Sequence, residues 1–269
     1  MKNKQKILCL SILFFTVFRA YASPISIQVC GDDTNVYPYW FQNENQDYAG
    51  VRVDLIRSVE NKLKNKYKFN FIGLPWNRCL EEAKKGKVDA VLDASFRPER
   101  SEYLNYPAEA FSEKEPCSAK IKFYCGSYLV LLPKNSNYEY QGKAATLPKP
   151  IRVARGYSPV SDLSATQIPV EVAKDEDILL KQMLRDQSGC IIGTELFVQR
   201  ILKDKNYKLS VRLSPVPFKK NSYYFAFSKK TSVPQKDINL IEAQLAEEAS
   251  LEKISILFGR YVKHTRPKN

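Results

Sequence analysis

Apolar and polar positions regroup along this chain so that strands and helices are predicted to take turns. Ile25 to Cys30 alternates as a first strand, and Val53, Ile56, Val59 and Leu63 then mark a helix packed on one side. Trp76, Cys79, Leu80 and Ala83 stand at i, i+3, i+4 and i+7, one apolar face of a short helix that Gly86 stops. Val88 to Leu92 is a compact run suited to a buried strand, and the polar group Asp93 to Arg100 follows it. Further strands are predicted over Gly126 to Pro133, Ile151 to Ala154, Gly189 to Gly193 and Tyr223 to Phe227. Helices are predicted over Asp175 to Arg185, over Thr194 to Lys203, from Pro234 through Leu245, and from Leu251 through Tyr261. In open α/β sheets ligands bind beyond the carboxyl ends of strands, so a site is expected at Asp93 to Arg100.

The same stretch carries a resemblance. A helix opening at Trp76, then Gly86-Lys87-Val88-Asp89-Ala90-Val91, a small polar residue, Pro98-Glu99-Arg100 and Tyr106-Pro107 resemble the first lobe of the family 3 periplasmic solute-binding proteins. Tyr37, Pro38, Gly50, Val53, Asp54 and Leu55 stand in that family's order too. The family is best known for capturing polar amino acids for ABC importers. The resemblance implies an α/β, two-lobed type II periplasmic binding protein fold with a hinge of crossing strands and an interlobe cleft. Lobe one would be discontinuous, residues 23–128 plus 222–264, lobe two residues 129–221, and residues 265–269 a loose tail.

The resemblance also implies site residues. Arg100 matches the arginine that holds the ligand α-carboxylate, for which a guanidinium's paired parallel N–H groups are suited. Ser95 matches a hydroxyl donor, and Tyr37 and Trp76 match aromatics that clamp the ligand. Asp33 is a candidate for a ligand ammonium, with capping of a turn as the structural alternative. Arg155-Gly156-Tyr157-Ser158 is a glycine loop able to turn backbone N–H groups toward an anion, which makes Gly156 and Ser158 candidates. The second lobe departs from the pattern: Thr194 stands where an aspartate pairing with the ligand ammonium is expected, and Glu195 is next. Glu195 either substitutes or sits in the first turn of its helix, where the dipole favours an acid. Asp93 stands where a small residue is usual, suited to a cationic ligand group or to tethering Arg100.

Composition narrows the functional classes. Lys2, Lys4 and Lys6, the apolar run Ile7 to Phe18 and Ala20-Tyr21-Ala22 read as a signal peptide over residues 1–22, implying a periplasmic or secreted protein. Its removal lowers the formal net charge from +13 to +9. The lysines are spread along the chain without a basic stripe interleaved with aromatics, which argues against a nucleic-acid partner. Five cysteines remain, so at least one is unpaired. The hairpin-sized segment between Cys117 and Cys125 suggests one disulfide, Cys30 with Cys79 is the second pairing considered, and Cys190 sits in an apolar run. No spacing suggests a metal site, no cofactor is implied, and the sole histidine, His264, gives no support to a histidine-based triad.

These readings converge on a monomeric exported binding protein for a small polar ligand, an amino acid or related carboxylate, delivered to an ABC permease in the inner membrane. Two alternatives stand beside it. One is a cyclohexadienyl or arogenate dehydratase-like enzyme on the same fold, with Glu195 or Asp93 as general acid. The other is a sensor module that presents its ligand to a receptor.

Overall fold

The computed structural model describes residues 23–64 and 66–263. The predicted signal peptide, His264 and the predicted tail lie outside the described residues. In chain order the elements begin with β1 (Ile25–Asp32), β2 (Phe41–Gln42), β3 (Tyr48–Ala49), α1 (Val51–Lys62), β4 (Tyr67–Leu74), α2 (Trp76–Lys85), β5 (Ala90–Ser95), α3 (Pro98–Ser101) and β6 (Leu104–Asn105). Then come β7 (Tyr124–Pro133), β8 (Ile151–Ala154), α4 (Ser158–Ala165), β9 (Glu171–Ala173), α5 (Glu176–Asp186), β10 (Cys190–Thr194) and α6 (Glu195–Lys203). β11 (Val211–Leu213), β12 (Lys219–Ser228), α7 (Gln235–Glu248) and α8 (Leu251–Lys263) complete the described chain.

The predicted helices and strands all form, most within two residues of expectation. Gly86 ends α2 in the left-handed region at φ 76°, a conformation glycine adopts without strain. The strand foreseen at Val88 starts instead at Ala90 and runs to Ser95, so Asp93 and Ser95 belong to the strand end rather than to the loop beyond it. β4 and the short helix α4 are elements beyond those predicted.

One mixed sheet joins the described strands in the order β4-β1-β5-β12-β7-β10-β8-β9, with β11 on β7 and β6 on β12; β2 and β3 pair separately. β1 runs parallel to β4 and β5, whereas β12 runs antiparallel to both β5 and β7. The crossing is specific: Tyr223 of β12 is registered opposite Ser95 of β5 and also opposite Tyr124 of β7. β12 and β7 therefore carry the chain between the two halves of the sheet.

Alternation in the strands separates cores on the two faces of each half. Ile27 and Val29 of β1 with Ala90 and Leu92 of β5 pack against α1 and α7, while Cys30, Val91 and Ala94 face α2. In the other half, Val130, Val153 and Ile192 form one cluster, and Leu131, Leu180, Ile191 and Val198 another. Disulfides join Cys30 to Cys79, tying β1 to α2, and Cys117 to Cys125 at the entry to β7. Cys190 is free and fully buried. Among the described residues no helix is long and apolar enough to cross a membrane.

Candidate functional site

The ends of β1 and β5 and the starts of α1, α2, α5 and α6 converge on a cavity of about 710 Å³, a size suited to a small molecule. Arg100, Ser95, Trp76, Asp93, Thr194 and Glu195 all line it.

Arg100 is nearly buried and spends three of its five N–H donors within the protein. Nη1 donates to the Ser95 carbonyl at 2.9 Å and to Ser95 Oγ at 3.0 Å, and Nη2 donates to the Gly156 carbonyl at 2.7 Å. Trp76 lies beside it, with the guanidinium 5.7 Å from the indole ring and the indole N–H donating to the same Gly156 carbonyl at 3.2 Å. Arg100 and Trp76 come from one half of the sheet, and Gly156 follows β8 in the other. These bonds cross the cleft.

The glycine loop thus works in the opposite sense to the one expected. Gly156, at φ 81°, turns its carbonyl rather than its N–H toward the arginine. It is not among the cavity-lining residues, nor is Ser158, which is buried at the start of α4 and accepts a 3.5 Å contact from Asn221.

Tyr37 is not brought into the cavity either. Its side chain is about half exposed, and its hydroxyl donates at 2.8 Å to the Tyr261 carbonyl of α8, with Phe41 and Tyr261 rings around it. The loop Tyr37-Pro38-Tyr39 offers the cavity its second tyrosine instead, Tyr39. Asp33 lies at the rim, 3.8 Å from Lys174 across the cleft.

Asp93 does not tether Arg100. It adopts φ 68° and forms an ion pair with Arg52, from the first turn of α1, while its other oxygen, Oδ1, is buried without a hydrogen-bond partner. Burial pushes the Asp93 carboxyl up to about 6, opposed by Arg52 and reinforced by the charge of Asp32. The Arg52 guanidinium lies 4.7 Å from the Tyr124 ring, and Tyr124 stacks on Tyr223 at 4.7 Å and 4°. An arginine of the cavity therefore rests on the tyrosine pair at the strand crossing.

Thr194 is committed to local structure. As N-cap of α6 its hydroxyl accepts from the Phe197 N–H at 3.3 Å, and it also contacts Glu176 Oε2 at 3.0 Å; its N–H donates to Glu176 Oε1 at 2.5 Å. Glu176 is thereby the carboxyl held at this end of the cavity, and burial pushes it up to about 8 despite those hydrogen bonds. Glu195 also lines the cavity, and its Oε1 accepts from Gln199 at 3.2 Å. Asp32, at the end of β1, is raised chiefly by burial and faces the Tyr157 hydroxyl at 3.5 Å.

Arg52, Asp32, Glu176, Tyr39, Tyr124, Tyr157 and Tyr223 are among the cavity residues that were not foreseen. Arg52 stands two residues after Gly50 at a helix start and Glu176 follows Asp175, and both positions read as ordinary helix openings. Among the described residues no group of three or more histidine, cysteine, aspartate or glutamate side chains is placed to hold a metal ion.

Solved structures share the fold. A histidine kinase sensor domain with similarity to periplasmic binding proteins superposes with a TM-score of 0.71 at 14% identity, covering 89% of this chain and 97% of that one. A mutant of ArgBP from T. maritima gives 0.67 at 14% identity, covering 88% and 95%. The substrate-binding protein of an ABC uptake transporter from Streptococcus pneumoniae, with bound histidine, gives 0.66 at 15%, covering 88% and 92%. A search of curated proteins finds no significant match. The model of the bacterial extracellular solute-binding proteins, family 3, matches residues 27–255. With its two halves joined by β7 and β12 and its cavity between them, the chain belongs to that family and has its two-lobed α/β fold.

Proposed function

We propose that this protein is an exported binding protein that captures a small polar ligand, an amino acid or related carboxylate, in the cleft between its lobes. The observation that carries the reading is the buried Arg100, fixed by Ser95, lying beside Trp76 in the cavity and touching the opposite lobe through Gly156. A guanidinium so held retains donors for a carboxylate in one orientation. Lobe one would comprise residues 23–128 plus 222–264 and lobe two residues 129–221. Ligand would bond first to one lobe, and hinge motion at β7 and β12 would close the other over it. Arg100 and Ser95 would take the carboxylate, with Trp76 and Tyr39 against the body of the ligand. The amino-acid part of the reading draws on the ArgBP and histidine-bound structures of the same fold. Delivery to an inner-membrane ABC permease by a periplasmic monomer, without a cofactor, completes the proposal.

A second reading has its own support, since the histidine kinase sensor domain superposes over nearly its full length. In that reading the same closed form is presented to a receptor. Co-purification with a membrane partner distinguishes permease from receptor. Assay of prephenate and arogenate turnover tests the dehydratase alternative, for which Glu176, pushed up to about 8, is a better placed acid than the ion-paired Asp93.

The first experiment is a thermal-shift screen of refolded protein against amino acids, polyamines and small organic acids. A ligand at about 100 times its Kd adds roughly 2.7 kcal/mol and raises the midpoint by several degrees. A shift lost in Arg100→Ala supports the reading. No shift with any amino acid or organic acid, on protein stripped of carried-over ligand, overturns it.

A further inference from the structure

The cavity has two ends of different chemistry. Between the lobes it is lined by Trp76, Ser95, Arg100 and the carboxyls already described. Its other end lies within lobe one, walled by Val51 and Leu55 of α1, Leu92 of β5, Phe123 before β7, Ala246 of α7 and Ile254 of α8. Val51, Leu55, Leu92 and Phe123 are members of the core on that face, and Ile254 packs against it. An opening in the core of one lobe is therefore continuous with the polar cleft. A free amino acid of about ten non-hydrogen atoms needs on the order of 300 Å³ even at a water molecule's share of about 30 Å³ per atom. That is under half of the 710 Å³ present.

A bulge in β5 stands where the two ends meet. Ala94 is registered opposite Tyr224 and Val91 opposite Ala226, so Leu92 and Asp93 together face the single residue Phe225 of β12. The extra residue breaks the strand's alternation, with Asp93 at φ 68°, and brings an apolar and a polar residue to the cavity in succession. The same step recurs on two other elements, where Val51 is followed by Arg52 and Phe123 by Tyr124, all lining the cavity. Asp93 is paired with Arg52, and Arg52 lies over the Tyr124 ring. The boundary between the two ends is thus a neutralised ion pair with an aromatic flank, across which an apolar chain meets no net charge. Beyond it Lys122 has its ammonium on the Ala119 carbonyl at 2.7 Å, and the exposed residues Lys120 and Leu251 stand where this end reaches solvent.

We propose that the cavity takes a carboxylate bearing an unbranched apolar chain, its head on Arg100 in the cleft and its chain laid past the Arg52–Asp93 pair into the apolar end between α1 and α7. This rests on the binding-protein reading and names the substrate class for that site, adding selection for chain length to recognition of the head group. The walls of the apolar end belong to a folded core, so the chain is received without ordering a loop. Each methylene moved from water into it should raise affinity about fourfold, until the chain reaches the opening near Leu251.

Calorimetric titration with the straight-chain series from L-α-aminobutyrate to L-α-aminodecanoate tests this. Affinity should climb about fourfold per methylene, with a heat-capacity change that grows more negative along the series. Ala246→Phe fills the apolar end and should flatten the climb for the longer members. The climb is a ratio within one protein and is not mimicked by partial misfolding; Ala249→Leu, at the end of α7, provides a second variant. If affinity is flat or falls with chain length while short polar amino acids bind, the inference is overturned and the binding-protein reading stands. If the climb is the same in the wild type and both variants, the chain does not lie in this end of the cavity and the inference fails. If the longer members bind Arg100→Ala as tightly as the wild type, the head is not on Arg100 and the inference fails likewise. If neither this series nor any other amino acid or small carboxylate binds, the proposed function falls and this inference with it.

Discussion

Arg97 and Asp162 form an ion pair across the cleft, joining the residue that precedes α3 to the middle of α4. Both are largely buried, and the second Asp162 oxygen is 3.0 Å from Lys219 at the start of β12. Arg97 thus spans the two lobes beside Arg100 and its bond to Gly156.

Asp162→Ala removes both cationic contacts and leaves Arg97 with only Glu99. The closed arrangement should lose on the order of 1 kcal/mol, about fivefold in the closed-to-open ratio. Small-angle scattering of ligand-free protein should report a larger radius of gyration in the variant, restored by saturating ligand. An unchanged radius would show that the pair does not hold the lobes together.

Arg100→Lys keeps the charge but loses the fork that bonds Ser95 and Gly156 together. Truncating a buried, hydrogen-bonded charge contact typically costs 2 kcal/mol or more, so ligand affinity should fall by about 30-fold or more. Isothermal titration measures this, and a Lys variant that binds as tightly as the wild type would remove Arg100 from the site.

The order of elements was legible because hydrophobic period changes from 2 to 3.6 along the chain: Trp76, Cys79, Leu80 and Ala83 specify α2, and Val91 and Leu92 specify β5. β4 carries the same alternation in Tyr67, Phe69 and Phe71 and adds a strand beyond those predicted. α4 opens on Ser158-Pro159 directly after a glycine turn, so turn and helix signals overlap there. The site was less legible, because it depends on which side chains face one another between lobes. Arg100, Ser95 and Trp76 were named by the family resemblance that the first unit carries, and all three line the cavity. Nothing local distinguishes Tyr37, drawn outward to α8 by Tyr261, from Tyr39, which faces the cavity. Nor does Glu176 differ in sequence from any acid in a first helical turn; its burial against Thr194, 18 residues later, is a tertiary fact.

The Cys30–Cys79 bond ties the end of β1, beside Asp32, to the helix that presents Trp76. Replacing both cysteines by serine should cost about 2–4 kcal/mol, lowering the melting temperature by several degrees. The same construction predicts weaker ligand binding, since α2 loses its covalent register to β1. Scanning calorimetry with and without reductant on the wild type gives an independent measure, with the Cys117–Cys125 contribution isolated by its own double variant.

Glu242 of α7 makes a pH prediction away from the cleft. It is buried among apolar neighbours with Oε1 lacking a hydrogen-bond partner, and burial pushes it up to about 7. A carboxyl whose folded value lies above its unfolded value binds more protons in the native state between the two, so stability falls as pH rises from about 4.5 to 7. Glu176, raised to about 8, and Asp93, raised to about 6, act in the same direction. Glu248 acts oppositely. Its bonds to Lys62, Lys253 and Ser58 lower it to about 2, and that contribution is lost as pH falls below about 4.5. Ligand-free protein should therefore be most stable near pH 5 and less stable at pH 8. Glu242→Gln should remove part of the decline, on the order of 3 kcal/mol between pH 4.5 and 8, without altering the loss below pH 4. Urea unfolding of wild type and variant across that range measures both limbs. Parallel curves for the two proteins above pH 5 would show that Glu242 ionises as freely folded as unfolded, and the decline would then belong to the cleft carboxyls alone.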